Sequence, residues 1–468
     1  MTTTEYDVIV IGAGAVGENV ADRAVQNGLT ALIIESELVG GECSYWACMP
    51  SKALLRSGMA LRAAKAVGGA KEALTGELDV AATLARRDGF AHDWNDESQA
   101  TWLEGAGIDL VRGHGRITGE RRVSVRDIVY TARHAVAVAT GSAALLPDIP
   151  GLADAEPWTS RDATSAARAP RSLAILGGGV VAAELATAYA SFGTKVTVIA
   201  RSGLLGGHEP FAGELVGESL RKLGATLRLT VSPRRVSRDA NGVRLELDDG
   251  SSVTADELLV ATGRLPRTMD LGLDAIGLEP GEWLEVDDTM RVRGVEWLYA
   301  CGDVNHRVLL THQGKYQARA AGDVIAARAL GMPVHDRKWG AHVATADHKA
   351  APQVAFTDPE VASVGLTARA AEEAGYDIRV VDYDLGRVAG ASLQADGYQG
   401  RARMVVDEKD RVILGVTFVG QDVSELLHAA TTAIVGEIPL DRLWHAVPAY
   451  PTMSEIWLRL LEAYGRPS

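Results

Sequence analysis

An α/β fold with parallel sheets, two Rossmann-like dinucleotide-binding units and a third α+β region toward the C-terminus is predicted by three features of this 468-residue chain. Two glycine-rich turns each join a β-branched run to a helix-compatible stretch, at Gly12 and at Gly177. Past residue 340, strand-like runs (ARMVVD, VILGVTFVG) alternate with helical stretches such as SELLHAATTAIVG. Repeated strand–turn–helix units lay helices on the faces of a parallel sheet.

The first turn lies in VIVIGAGAVGENVA. Gly12 permits the tight turn, Gly14 lets backbone approach a pyrophosphate, and Gly17 lets helix and strand pack closely. The helix N-terminus then faces the phosphates, and Glu35, ending the next apolar run ALIIE, suits ribose hydroxyls. In SLAILGGGVVAAELATAYASFGTKVTVIAR, Gly177 and Gly179 hold the first two positions and Ala182 the third, which the fingerprint allows. Glu35 lies 23 residues after Gly12, whereas the same step from Gly177 lands on Ala200, with Arg201 next. An acid there favours an unphosphorylated ribose; an arginine accepts a 2′-phosphate. NADPH is therefore expected over NADH, although Arg201 is also compatible with a solvated surface charge.

Two such units suggest two cofactors exchanging electrons. The ATG at 139–141 and ATGRLPRT at 261–268 each follow an apolar strand-like run, and EWLYACGDVN sets Asp303 after another. Each reads as a tight turn near a ligand or as a turn alone.

Length predicts two to four domains. A content of 47% hydrophobic and 23% charged residues is an ordinary globular mix. The formal charge of −14 argues against a general nucleic-acid or anionic-membrane surface. No apolar run approaches the roughly 20 residues of a membrane helix. MTTTEYD passes directly into VIVIGAG with no basic region ahead of it, so no signal peptide and a cytoplasmic location are expected. His306, His312, His342 and His348 lack metal-ligand spacing, and no metal site is expected.

The chain has three cysteines, and two fall within GGECSYWACMPSK at 40–52. So few cysteines form no disulfide framework; a close pair is catalytic, metal-binding or buried. Pro50 is tolerated best in a first helical turn, which sets Cys48 at a helix N-terminus where the dipole favours a thiolate.

These motifs, followed by VAFTDPEVASVGLT (354–367) and YPTMSE (450–455), stand in an order that resembles the FAD-dependent pyridine nucleotide–disulfide oxidoreductases. That family includes dihydrolipoamide dehydrogenase, glutathione reductase and mercuric reductase. The resemblance implies an FAD domain at 1–150 continued at 265–340, an NAD(P) domain at 151–264 and a dimerisation domain at 341–468. It implies a homodimer in which each active site borrows residues from the other chain. Cys48 would face the flavin and Cys43 would exchange with substrate, with Lys52 near the flavin and paired to Glu184. FAD would be held by Gly12, Gly14, Gly17, Glu35, Lys52, Gly115, Thr140, Gly141, Asp303, Leu310, Thr311 and His312. NAD(P) would meet Gly177, Gly179, Ala182, Glu184, Arg201 and Gly263.

Two departures qualify the expected chemistry. Where the family carries a catalytic histidine in His-Pro-x-x-x-Glu, this chain has Tyr450 before Pro451 and Glu455. A tyrosine titrates near pH ~10 and is a poor base at neutrality. His445 is an alternative base at the wrong spacing, or a structural ring. Tyr45 and Trp46, between the cysteines, would either form a stacking wall for a flat or bulky substrate or pack between subunits. The absence of any cysteine after Cys301 argues against mercuric reduction. The expected enzyme is an FAD-dependent NADPH oxidoreductase acting through Cys43 and Cys48 on a small disulfide or related electrophile. The alternatives are a flavin-based quinone or dye reductase, a dihydrolipoamide dehydrogenase subunit of a 2-oxoacid dehydrogenase complex, and a redox sensor.

Overall fold

The computed structural model describes residues 4–466. They divide into two compact units. The first comprises the stretch ending at Pro50, Asp88–Leu145 and Gly263–His348; the second comprises Ser51–Arg87, Leu146–Thr262 and the stretch from Lys349 onward.

In the first unit β1 (Glu5–Ile11), α1 (Ala15–Gln26) and β2 (Ala31–Glu35) follow in immediate succession. Val8–Ile11 and all of β2 are buried, as strands covered on both faces require. The short α2 (Gly41–Tyr45) leads into α3 (Cys48–Lys65), which belongs to the second unit from Ser51 onward. With β3 (Asp109–Arg112), β4 (Gly115–Gly119), β5 (Arg122–Val125) and β6 (Ile128–Val138), the sheet runs β3-β2-β1-β6-β5-β4. β1 pairs in parallel with β2 and β6, while β4 and β5 join antiparallel.

In the second unit β7 (Ser172–Leu176), α4 (Val180–Ser191) and β8 (Lys195–Ala200) repeat the strand–turn–helix–strand order. They form a parallel sheet with β9 (Thr226–Leu229) and β10 (Glu257–Val260), ordered β9-β8-β7-β10. α4 is apolar nearly all round and accordingly buried from Ala182 to Ala190.

The first unit is completed by β11 (Leu298–Ala300), parallel to β6, and by α5 (Thr311–Ala329). α5 lies close along α1 because glycines face it: a Cβ at Gly314 would stand 2.6 Å from Val16 Cγ2, and one at Gly322 2.5 Å from Arg23 Cβ. The second unit ends in an antiparallel sheet of β12 (Gln353–Ala355), β13 (Glu360–Gly365), β14 (Ile378–Asp384), β15 (Arg401–Asp407) and β16 (Val412–Gly420). Its order is β12-β13-β16-β15-β14, and α6 (Glu455–Tyr464) follows. Among the described residues no helix is long and apolar enough to cross a membrane.

The alanine-rich stretch 60–85 reads from composition as one long helix continuing from the cysteine segment. It is not one. α3 stops at Lys65, and the next α-helix spans Val80–Phe90. Gly68, Gly69 and Gly76 interrupt the run, and each weakens a helix interior by about 1 kcal/mol relative to alanine.

Candidate active site

The first glycine turn is shaped by space as much as by conformation. Gly12 has φ +101°, and a Cβ there would stand 2.5 Å from the Ala139 carbonyl oxygen. A Cβ on Gly17 would fall 1.8 Å from the Gly12 oxygen. Gly14 is different: its nearest neighbour would be Gly41 Cα at 3.9 Å, so its missing side chain leaves a cradle at the N-cap of α1. The leading N–H groups of that helix are available to an anion. Glu35 ends β2, and its carboxylate accepts the N–H groups of Ala13 and Glu37, each at 2.7 Å. Burial pushes the Glu35 carboxyl up, against these two bonds.

Around this turn the same unit gathers further groups. The Thr140 hydroxyl is buried without a hydrogen-bond partner. Asp303 accepts the Ser142 hydroxyl at 2.5 Å and has Arg264 Nε at 3.8 Å. Gly115 opens β4 against Ile34, Gly141 follows Thr140 beyond the end of β6, and Leu310 caps α5 ahead of Thr311 and His312. An open cradle at Gly14, an orphaned hydroxyl and a positioned acid fit FAD.

In the second turn Gly177 has φ +136°, and a Cβ there would stand 2.2 Å from the Ala261 oxygen. Gly179 caps α4 with nothing within 4 Å of an added Cβ, and Ala182 is fully buried in that helix. These residues fit a second dinucleotide. Ala200 closes β8, and Arg201 behind it is exposed. Gly263 lies instead in the first unit, where its carbonyl accepts the Leu145 N–H at 2.9 Å.

Cys43 sits in α2 and Cys48 opens α3, where the helix dipole favours a thiolate. The two free thiols are neighbours, and Cys48 acts on the Cys43 thiol. Cys48 and burial push the Cys43 thiol up, while Thr311 and the Lys315 ammonium oppose the shift. Thr311 Oγ1 also lies 3.3 Å from Cys48 Sγ. One turn into α3, the Lys52 ammonium donates to Glu184 Oε2 at 2.8 Å. Glu184 Oε1 accepts the Phe356 N–H at 2.9 Å, and Lys52 Nζ stands 5.0 Å from the centre of the Phe356 ring. Phe356 was not singled out among the site residues, although it lies inside the VAFTDPE motif.

Tyr450 is 77% exposed and His445 is exposed as well. Glu455, in contrast, is buried at the start of α6, where it accepts from Arg459 and from the Ala389 N–H. Tyr45 departs from both sequence-based alternatives. It is fully buried within its own unit, its carbonyl accepts the Trp94 indole at 3.1 Å, and its ring meets Trp46 edge-on at 5.7 Å. The 91–95 segment covers it, so it forms neither a substrate wall nor a subunit contact.

Two dinucleotide cradles and a pair of neighbouring thiols fit a nucleotide-linked flavoprotein oxidoreductase. Residues 6–321 match the pyridine nucleotide-disulphide oxidoreductase family, and residues 351–460 match that family's dimerisation domain. The chain belongs to this family and is a flavin-dependent enzyme using NAD(P)H, with a domain that supports a homodimer. It is 30% identical over 459 residues to a mercuric reductase of Staphylococcus aureus, covering 96% of this chain and 81% of that relative. It is 32% identical over 483 residues to a dihydrolipoyl dehydrogenase of Haloferax volcanii, covering 98% and 96%. The fold matches the HOCl-induced flavoprotein disulfide reductase RclA of Escherichia coli with a TM-score of 0.83 at 23% identity, over 98% and 99% of the two chains.

Proposed function

We propose that the enzyme draws on NADPH in preference to NADH and passes two electrons through a Cys43–Cys48 disulfide to a small disulfide or related electrophile. The observation that carries this reading is the thiol pair itself: two free cysteines on the consecutive helices α2 and α3, Cys48 at a helix N-terminus with its sulfur 3.3 Å from Thr311 Oγ1. Bound FAD supplies the two-electron link between the nicotinamide and these sulfurs. Reduction of the Cys43–Cys48 disulfide by two electrons and two protons gives both thiols. Cys43 gives up its proton, and its thiolate attacks one sulfur of the substrate disulfide and displaces the first substrate thiolate; the two cysteine protons end on the two displaced thiolates. Cys48 attacks the Cys43 sulfur of that mixed disulfide, displaces the second thiolate and re-forms the internal disulfide.

Lys52, oriented by Glu184, is assigned the flavin side of this relay, and Asp303 and Glu35 the ribityl chain and the adenosine ribose. The exposed Arg201 behind Ala200, with no acid at that strand end, supports the 2′-phosphate. The domain boundaries at 150, 264 and 340 are retained as our reading. Direct reduction of quinones is the second reading, favoured by a tyrosine rather than a histidine at position 450.

Anaerobic titration of the purified holoenzyme with NADPH, and separately NADH, tests the proposal. A long-wavelength thiolate–flavin band at two electrons, reached with less NADPH than NADH, is expected. Bleaching without the band removes the cysteines from the electron path. Cys43→Ser should abolish disulfide reduction and leave any quinone reduction intact.

A further inference from the structure

Glu18 stands in the first turn of α1, and its Oε1 is buried without a hydrogen-bond partner. The dinucleotide turn uses only Gly12, Gly14 and Gly17 and has no need of an acid at this position. Burial raises the Glu18 carboxyl to about 7, with the Lys315 ammonium opposing the shift and Glu35 at the end of β2 adding to it. Lys315 belongs to α5, whose glycines bring it against α1. The same helix presents Thr311 to Cys48 Sγ, and one turn on, Lys315 is the cation that favours the ionised form of Cys43. Glu18 lies one turn beyond Gly14, whose face abuts Gly41 of α2, and Lys315 one turn beyond Thr311, so both acid and ammonium stand on helix faces turned to the cysteine segment within the first unit.

We propose that Glu18 is a positioning residue for thiol exchange: acting through Lys315, it sets how readily Cys43 gives up its proton. The proposal rests on the reading of Cys43 as the exchange thiol. With Glu18 neutral, Lys315 acts on Cys43 unopposed and the thiolate is favoured. With Glu18 ionised, its charge offsets Lys315 and Cys43 is held as the thiol. The coupling is reciprocal, since the thiolate raises the affinity of Glu18 for a proton. When Cys43–SH and Glu18–COO⁻ become Cys43–S⁻ and Glu18–COOH, the cluster keeps its net charge. A neutral-range carboxyl tied to the exchange thiol supplies what a histidine near pH ~6.5 would otherwise supply, in a chain that has Tyr450 where such a histidine is expected.

The test is the pH dependence of Cys43 alkylation by iodoacetamide in the two-electron-reduced, FAD-loaded enzyme, read by mass spectrometry rather than by turnover. Glu18→Gln should move the profile to lower pH by about half a unit, about three-fold faster alkylation near neutrality. Lys315→Met should move it the other way, and Glu18→Asp should restore most of the wild-type profile. Opposite shifts in the first two variants are the result expected, and a purely structural role for either residue would not produce them. Unshifted profiles in both, at wild-type FAD content, overturn the inference and leave the role of Cys43 intact. If Glu18→Gln loses FAD, the direction of the Lys315→Met shift decides. Disulfide reduction surviving in Cys43→Ser would instead overturn the reading on which the inference rests.

Discussion

The Lys52 ammonium and the Glu184 carboxylate meet at 2.8 Å although 132 positions separate them in the chain. The pair is asymmetric: the lysine side chain is 36% exposed and the glutamate 5%. Solvent screening therefore limits the ion pair itself, as for half-exposed bridges generally. The buried partner has more to lose, because Glu184 also serves the Phe356 N–H. Glu184→Ala leaves that N–H and the ammonium without an acceptor, and should destabilise the second unit by about 2–3 kcal/mol. Glu184→Gln keeps one acceptor and should cost about half as much. Urea unfolding of the two variants checks the order; equal losses would mean that the Phe356 bond contributes nothing.

Gly12 and Gly14 are both glycines of the first fingerprint, yet an added Cβ would meet very different surroundings at the two positions. Gly12→Ala meets the Ala139 oxygen at 2.5 Å and forces alanine to φ +101°. The left-handed conformation costs about 1–2 kcal/mol before the clash is counted, so this variant should fail to fold its first unit. Gly14→Ala has open space, with its nearest neighbour at 3.9 Å. It should leave apo-protein stability within about 0.5 kcal/mol of wild type and lower the flavin content of the purified enzyme. The ratio of flavin to protein absorbance, beside thermal unfolding of the apo form, separates the two effects.

The strand–turn–helix units were legible because their signals are local: β-branched runs, glycines at fixed offsets and an acid at the end of the next strand. What local pattern cannot carry is strand order, which places β6 beside β1 only after more than a hundred intervening residues. The Lys52–Glu184 pair was legible only through family resemblance, since no spacing rule joins positions so far apart. Tyr45 was misread because its burial depends on the 91–95 segment, which has no pairing signal in the sequence. The 60–85 stretch was misread because alanine propensity outweighed three glycines. Glu18 and Lys315 were invisible for a different reason. One charge on each of two helices reads as solvated surface until glycines such as Gly314 draw the helices together.

The buried Glu18 carboxyl should also mark the pH dependence of stability. Its ordinary value of 4.5 is raised to about 7 in the folded chain. Between those values the native state binds more protons than the unfolded state, so this group lowers stability as pH rises through the window and has no further effect above it. Glu18→Gln removes the penalty of a buried charge. The variant should therefore melt higher than wild type at about pH 8, with the gap closing as pH falls toward 4.5. Thermal unfolding of both proteins across that range checks the sign. A gap that widens on acidification would place the carboxylate in a favourable rather than a desolvated setting.

Tyr450 provides the complementary test of the missing base. Its side chain is 77% exposed, so replacing it should change the stability of the chain by no more than about 0.5 kcal/mol. Pro451 and Glu455 already stand at the family spacing, and Glu455 is fixed by Arg459 and the Ala389 N–H. Tyr450→His thus introduces a group titrating near pH ~6.5 into a segment whose other members are in place. If proton handling at the exchange thiol limits the wild-type enzyme, kcat/KM toward a dithiol such as dihydrolipoamide should rise by about ten-fold or more. The gain should appear as pH rises through the imidazole range, since only the neutral ring accepts a proton. An unchanged rate with unchanged stability would mean that position 450 lies outside the proton path, leaving Glu18 and Lys315 as the groups that govern Cys43.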